Sequence, residues 1–204
     1  MKAYTTNAPD RPRNAFVDIH GKIVATADQF LISSEEALVV IEAPFEERLH
    51  RHLAPYLFLY GAEIFPSAYR VYFDLESAHR PAADETAIAQ KAGQLILSPR
   101  ELPASVSEEA FRLFRVRNRI PLQGVDYDED ILLNVADEEY ISYDKGCYLG
   151  QEIIARIHFR GKPSKKLLVK AEDECPEADR ARLSSRVWDA EKGRFFGFLM
   201  AQND

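Results

Sequence analysis

One stretch of eight residues gathers the groups best able to do chemistry: Lys145-Gly146-Cys147-Tyr148-Leu149-Gly150-Gln151-Glu152. It holds one of the chain's two cysteines; the other is Cys175. Gly146 and Gly150 let the backbone turn tightly, or approach a ligand with no side chain in the way. Behind them, Ile153-Ile154-Ala155-Arg156-Ile157 reads as a helix. Its first turn carries Gln151 and Glu152, and Ile153, Ile154 and Ile157 form its buried stripe. Glu152 and Arg156 stand four apart and can pair on the opposite face. A cysteine just ahead of a helix N-terminus, beside Lys145, sits where the helix dipole and an ammonium both favour the thiolate. The same pattern also suits a buried structural cysteine whose glycines serve only the turn. Both readings stand at this point.

The charge pattern changes sign at this stretch. Eight acids and no Lys or Arg lie between Asp126 and Asp144, among them Asp128, Glu129, Asp130, Asp137, Glu138 and Glu139. Between Lys145 and Lys170 stand seven bases, including Arg156, Arg160, Lys162, Lys165 and Lys166, against the single acid Glu152. A net charge of -7 argues against the whole surface serving nucleic acid. The local basic stretch is either an ordinary solvated face or a surface for an anionic partner, such as an RNA backbone. The five histidines, His20, His50, His52, His79 and His158, show no metal-ligand spacing, so no metal ligand is assigned. Phosphate-loop, dinucleotide-fold and nucleophile-elbow patterns are absent.

The elements that must position the cysteine read as follows. Residues 15–42 form a β-meander with a tight turn at His20-Gly21 and a polar turn at residues 33–36. Separate strands are expected at residues 22–27 and 30–32. Pro44 opens a helix with Phe45, Leu49, His52 and Leu53 on one face, and Pro55 ends it. Residues 56–60 are then an aromatic turn closed by Gly61. Strands are expected at residues 62–65, 69–75 and 94–97, and a connection with a short helix between residues 76 and 92. Ser105-Val106-Ser107-Glu108 has the order of a capping box. The helix after it turns Ala110, Phe111, Phe114 and Val116 inward and its arginines outward. Beyond Gly161 come a strand at 167–170, an acidic loop around Cys175, and a hairpin joined through Glu191-Lys192-Gly193.

The eight-residue motif resembles the signature of the YgfZ family, folate-binding relatives of the glycine-cleavage T-protein. Members are associated with iron–sulfur cluster assembly and repair and, in bacteria, with tRNA modification. The similarity extends to Ile141-Ser142-Tyr143-Asp144 before the motif and to Arg156 and Arg160-Gly161 after it. Arg115-Val116-Arg117-Asn118-Arg119-Ile120-Pro121 resembles the arginine-rich segment of the branch that includes the mitochondrial iron–sulfur assembly factor. Asn14-Ala15-Phe16-Val17-Asp18 with Gly21-Lys22-Ile23 resembles the family's N-terminal hairpin. The resemblance implies an α+β fold of the T-protein/YgfZ type, shortened at its N-terminus, with a short or incomplete C-terminal β-barrel. Residues 1–160 would be the folate-binding region and residues 161–204 a small β-rich region.

By the same resemblance, tetrahydrofolate or a derivative is the expected ligand. It would lie in a central cavity lined by the meander, the arginine-rich helix and the motif loop. Arg115, Arg117 and Arg156 would meet its anionic tail, and Lys145, Gly146, Tyr148, Gly150, Gln151 and Glu152 would complete the site. Cys147 would act as a thiol, in redox chemistry or in contact with an iron–sulfur client, and not in a disulfide with Cys175. Expected partners are a reduced folate, iron–sulfur client or assembly proteins, and an indirect link to tRNA modification.

The enzymatic rival is aminomethyl transfer. Leu49 stands where the T-protein carries its catalytic aspartate, and Arg117 where it carries a pterin-binding glutamate. A leucine can neither orient nor deprotonate an amine, so folate binding without transfer is the expectation. A third alternative is an interaction module that has lost folate. Two cysteines are too few for a disulfide framework, and residues 1–13 do not read as a secretory signal. No apolar run reaches the ~20 residues that span a bilayer. The reading is therefore cytoplasmic, without a membrane partner.

Overall fold

The computed structural model describes residues 5–8, 11–135 and 138–203. Asp137 of the acidic run and Asp10 of the N-terminal segment lie outside them. The chain is α+β, with three small antiparallel sheets. Strands β1 (Arg13–Val17), β2 (Ile23–Leu31) and β3 (Ala37–Val40) come first, then helix α1 (Glu46–Tyr60). Strands β4 (Arg70–Asp74), β5 (Thr86–Ala89) and β6 (Gln94–Ser98) precede α2 (Glu108–Asn118). Next come α3 (Leu132–Val135), α4 (Gln151–Arg160), β7 (Lys165–Ala171), α5 (Glu177–Arg180), β8 (Ser184–Asp189) and β9 (Arg194–Gln202). They form two compact units. One takes residues 1–67, 128–166 and 203–204, the other 68–127 and 167–202. The sequence boundary at residue 160 falls near the third crossing, between residues 166 and 167. It does not anticipate that residues 68–127 belong with the C-terminal sheet.

In the first unit the sheet order is β1-β2-β3, antiparallel throughout. Phe16, Val24, Ala25 and Ala27 form one wall of a core whose other wall is Phe45, Leu49 and Leu53 of the α1 region. Leu49 is thus a core residue. The expected break near Asp28-Gln29 does not occur, and β2 runs through it. The buried Gln29 amide donates to the Ala8 and Arg11 carbonyls, 3.1 and 3.0 Å away, so a polar residue sits inside the strand with its donors satisfied.

Pro55 does not end α1. Proline removes one helical hydrogen bond, and the contacts of Leu49, Leu53 and Leu57 with the sheet keep the chain helical. Residues 56–60 are therefore helical, and Gly61, at φ 61°, supplies the left-handed residue that closes the helix. No strand forms at 62–65.

In the second unit β4-β6-β5 is one sheet and β7-β9-β8 another. Residues 86–89 are a strand rather than a helix, since they pair along the inner strand β6. Phe73 packs against Phe111 and Phe114 of α2, with ring centres 5.3 and 5.7 Å apart. The N-cap is Ser107, whose hydroxyl accepts from the Ala110 amide at 3.2 Å. The capping-box order beginning at Ser105 pointed two residues early. Ala110 is exposed and Arg115 is buried, both opposite to expectation. The C-terminal hairpin β8–β9 forms as read. Among the described residues its sheet has three strands and does not close into a barrel.

Candidate functional site

The motif loop is fixed from three directions within the first unit. The N-terminal segment is the first anchor. Thr6 donates through its hydroxyl to the Tyr140 carbonyl at 2.6 Å, and its own carbonyl accepts from the Ser142 amide at 3.0 Å. The Lys145 ammonium donates to the Thr5 carbonyl and lies 5.1 Å from the centre of the Tyr148 ring. Burial pushes Lys145 down to about 8 and raises the Tyr148 phenol. Thr5, Thr6 and Asn7 are buried. Sequence reasoning passed over them because short polar residues near a terminus look like a loose tail.

The second anchor is the β1–β2 turn. Asp18 shapes it: one carboxylate oxygen accepts from the His20 and Lys22 amides at 2.8 and 2.9 Å. Gly150 lies directly against the Asp18 carbonyl, and a side chain there would overlap that oxygen. Gly150 also has φ 76°, a conformation that suits glycine, and it is the N-cap of α4. The third anchor is α4 itself. Ile154 is fully buried, Ile153 and Ile157 are half-buried, and Ile154 meets the turn at Gly21. Glu152 and Arg156 pair at 2.9 Å on the exposed side, as their spacing requires. The Gln151 side chain turns back to accept from the Tyr148 amide at 3.3 Å.

Between these anchors the two residues at the tip of the loop are open. Gly146 and Cys147 are exposed, and a Cβ at Gly146 would meet nothing within 4 Å. Of the two readings of Cys147 left open above, the buried structural cysteine is excluded. Both cysteines are free thiols. Cys175 is the buried one; its Sγ lies 3.3 Å from the Ala171 carbonyl, and burial, with Asp179 adding to it, raises its pKa. The sequence had placed it in an acidic loop, with nothing to mark it as buried.

The expected anion contacts divide between the two units. Arg115 and Arg117 belong to the second unit, whereas Lys145 to Glu152 and Arg156 belong to the first. Arg115 is buried. Its Nη1 donates to Asp126 at 2.8 Å and its Nη2 to the Ser185 hydroxyl at 2.8 Å. Arg117 forks onto Asp189 at 2.9 and 2.7 Å and reaches Glu191 at 3.0 Å. These pairs hold Arg117 above its usual range and pull Asp189 down to about 2. Both guanidiniums are thus committed to carboxylates of their own chain, which a period-3.6 pattern cannot reveal.

One further group beside the loop escaped the sequence reading. Tyr143 stacks on His158 with ring centres 4.0 Å apart, and Phe159 meets both rings edge-on. Among the described residues no three His, Cys, Asp or Glu side chains gather as a metal-ligand set. No helix there is long and apolar enough to cross a membrane. Fold and site together define an α+β protein that presents an exposed cysteine on a braced loop at the head of a short helix. No known family model and no curated protein matches the chain.

Proposed function

We propose that this protein is a folate-binding accessory protein of the YgfZ/T-protein type, supporting iron–sulfur cluster assembly or repair through Cys147. One observation carries the reading. The loop is anchored from three directions, yet Gly146 and Cys147 are left open at its tip. The packed chain needs Gly150 for itself, whereas nothing in the described structure needs glycine at 146. An anchored loop that leaves a thiol in solvent suits a residue used by something else. The expected ligand is tetrahydrofolate or a derivative. Lys145, Tyr148 and Arg156 are the groups of the first unit suited to an anionic tail and a flat ring. Iron–sulfur client or assembly proteins are the expected partners, with tRNA modification an indirect consequence. A single thiol does not complete a cluster site, so Cys147 serves in redox chemistry or client contact.

The reading is tested by titrating tetrahydrofolate while following alkylation of Cys147. Saturable binding that protects Cys147 supports it, as does loss of iron–sulfur enzyme activity in cells carrying only Cys147→Ser. Full complementation by Cys147→Ser sinks it. A second reading, an interaction module without folate, is favoured by a specific observation: Arg115 and Arg117 are already neutralised by Asp126 and Asp189. Calorimetry showing no tetrahydrofolate binding, together with a Cys147→Ser defect, selects that second reading. Aminomethyl transfer draws no support from Leu49, which packs in the core.

A further inference from the structure

The C-terminal end of α4 combines two features that the folate reading does not use. The first is a π surface. The Tyr143 and His158 rings lie 4.0 Å apart at an interplanar angle of 25°. Phe159 stands edge-on to both and is 69% exposed. Burying apolar residues is the rule for a short amphipathic helix, and this one buries Ile154 while turning Phe159 outward. The second feature is unneutralised charge. Arg160, Lys162 and Lys165 are exposed, and among the described residues their side chains make no ion pair or hydrogen bond. Arginines elsewhere behave differently: Arg48, Arg117, Arg186 and Arg194 each face a carboxylate at 3.0 Å or less. The acids nearest in sequence are Glu152 and Glu172, and they are already paired with Arg156 and Arg186.

We infer that this surface binds single-stranded nucleic acid, with Phe159 and the His158 ring stacking on bases and Arg160, Lys162 and Lys165 meeting phosphates. Charge complementarity requires a polyanion. The exposed aromatic rings select among polyanions, because every unstacked base offers a π face, whereas an acidic peptide or a closed duplex offers none of comparable access. The footprint is small, so binding is weak, tolerant of sequence and sensitive to salt.

The test uses the full chain and a labelled oligouridylate of about 12 nucleotides, a length that exceeds one small site. Fluorescence anisotropy is read across a salt series. Three phosphate contacts on a single strand give a slope of about −2 in log K against log salt. Replacing Arg160, Lys162 and Lys165 together by Ala brings that slope close to zero. Phe159→Ala, at an exposed position that leaves the fold intact, weakens binding about fivefold or more. The inference is overturned by no measurable binding at low salt, by an oligoglutamate of equal length competing as well as the oligouridylate, or by Phe159→Ala binding as tightly as wild type. None of these results bears on tetrahydrofolate or on Cys147.

Discussion

The Cα of Gly150 rests against the main-chain carbonyl of Asp18, leaving no room between them for a methyl group. The β1–β2 turn and the head of α4 can meet only because residue 150 is glycine. Gly150→Ala adds this overlap to the cost of a left-handed residue, together about 2–4 kcal/mol. Gly146→Ala meets open space and changes stability by less than ~0.5 kcal/mol. Urea unfolding of the two variants separates them. Equal losses would remove the distinction between a glycine the fold needs and one it does not.

Acid weakens the second unit in a defined window. Arg117 holds Asp189 at about 2, against an ordinary value near 4. Glu85 is also held at about 2, first by the Ala82 amide and then by His79 and Ser98. A carboxylate depressed in the folded state stabilises it above its unfolded pKa, and that contribution is lost as pH falls towards the folded value. Stability therefore declines between about pH 4.5 and 2. Trp188 lies in this unit and is the chain's single tryptophan, so its fluorescence follows the loss. Arg117→Gln removes the Asp189 share of that decline and leaves the Glu85 share; an unchanged profile would show that the Arg117–Asp189 pair contributes nothing.

How much of this was legible in the sequence follows from the range of each interaction. The loop–helix join, the Glu152–Arg156 pair, the meander and the final hairpin depend on neighbours a few residues away, and their patterns were readable. Pro55 misled because helix propensity was weighed without Leu53 and Leu57 on the sheet. Residues 86–89 misled because an alanine-rich segment takes whatever edge the fold offers, here β6. Arg115 misled because its carboxylate lies eleven residues on and its hydroxyl seventy. The exposure of Cys147 and burial of Cys175 are tertiary facts, and a local charge count cannot rank the two.

The two thiols differ in reactivity for that tertiary reason. Cys147 is exposed, whereas Cys175 is buried and its burial opposes ionisation. At neutral pH one equivalent of a thiol reagent reacts promptly with folded protein, and peptide mapping finds it on Cys147. Cys175 reacts only as the fold opens, so its rate rises with urea while that of Cys147 does not. Prompt labelling of Cys175 in native buffer would contradict the burial described here.

Arg115 offers the sharpest contrast between a ligand contact and a structural charge. Its guanidinium is enclosed, with Nη1 on Asp126 and on the Ile120 carbonyl and Nη2 on Ser185. The Asp126 carboxylate also accepts from the Leu122 amide at 2.8 Å and from the Ser184 and Ser185 hydroxyls at 2.7 and 2.6 Å. One side-chain cluster thus ties the end of α2, the following loop and β8 together. Arg115→Met keeps most of the volume but leaves a buried carboxylate without its cation, at a cost of about 3–5 kcal/mol. Adding Asp126→Asn removes the stranded charge, so the double variant is more stable than Arg115→Met alone. Chemical denaturation measures both steps. Tetrahydrofolate affinity, taken at a temperature where Arg115→Met is still folded, matches wild type if the guanidinium serves only this cluster. A folded Arg115→Met protein that loses tetrahydrofolate while Lys145 and Arg156 are intact would return Arg115 to the ligand site.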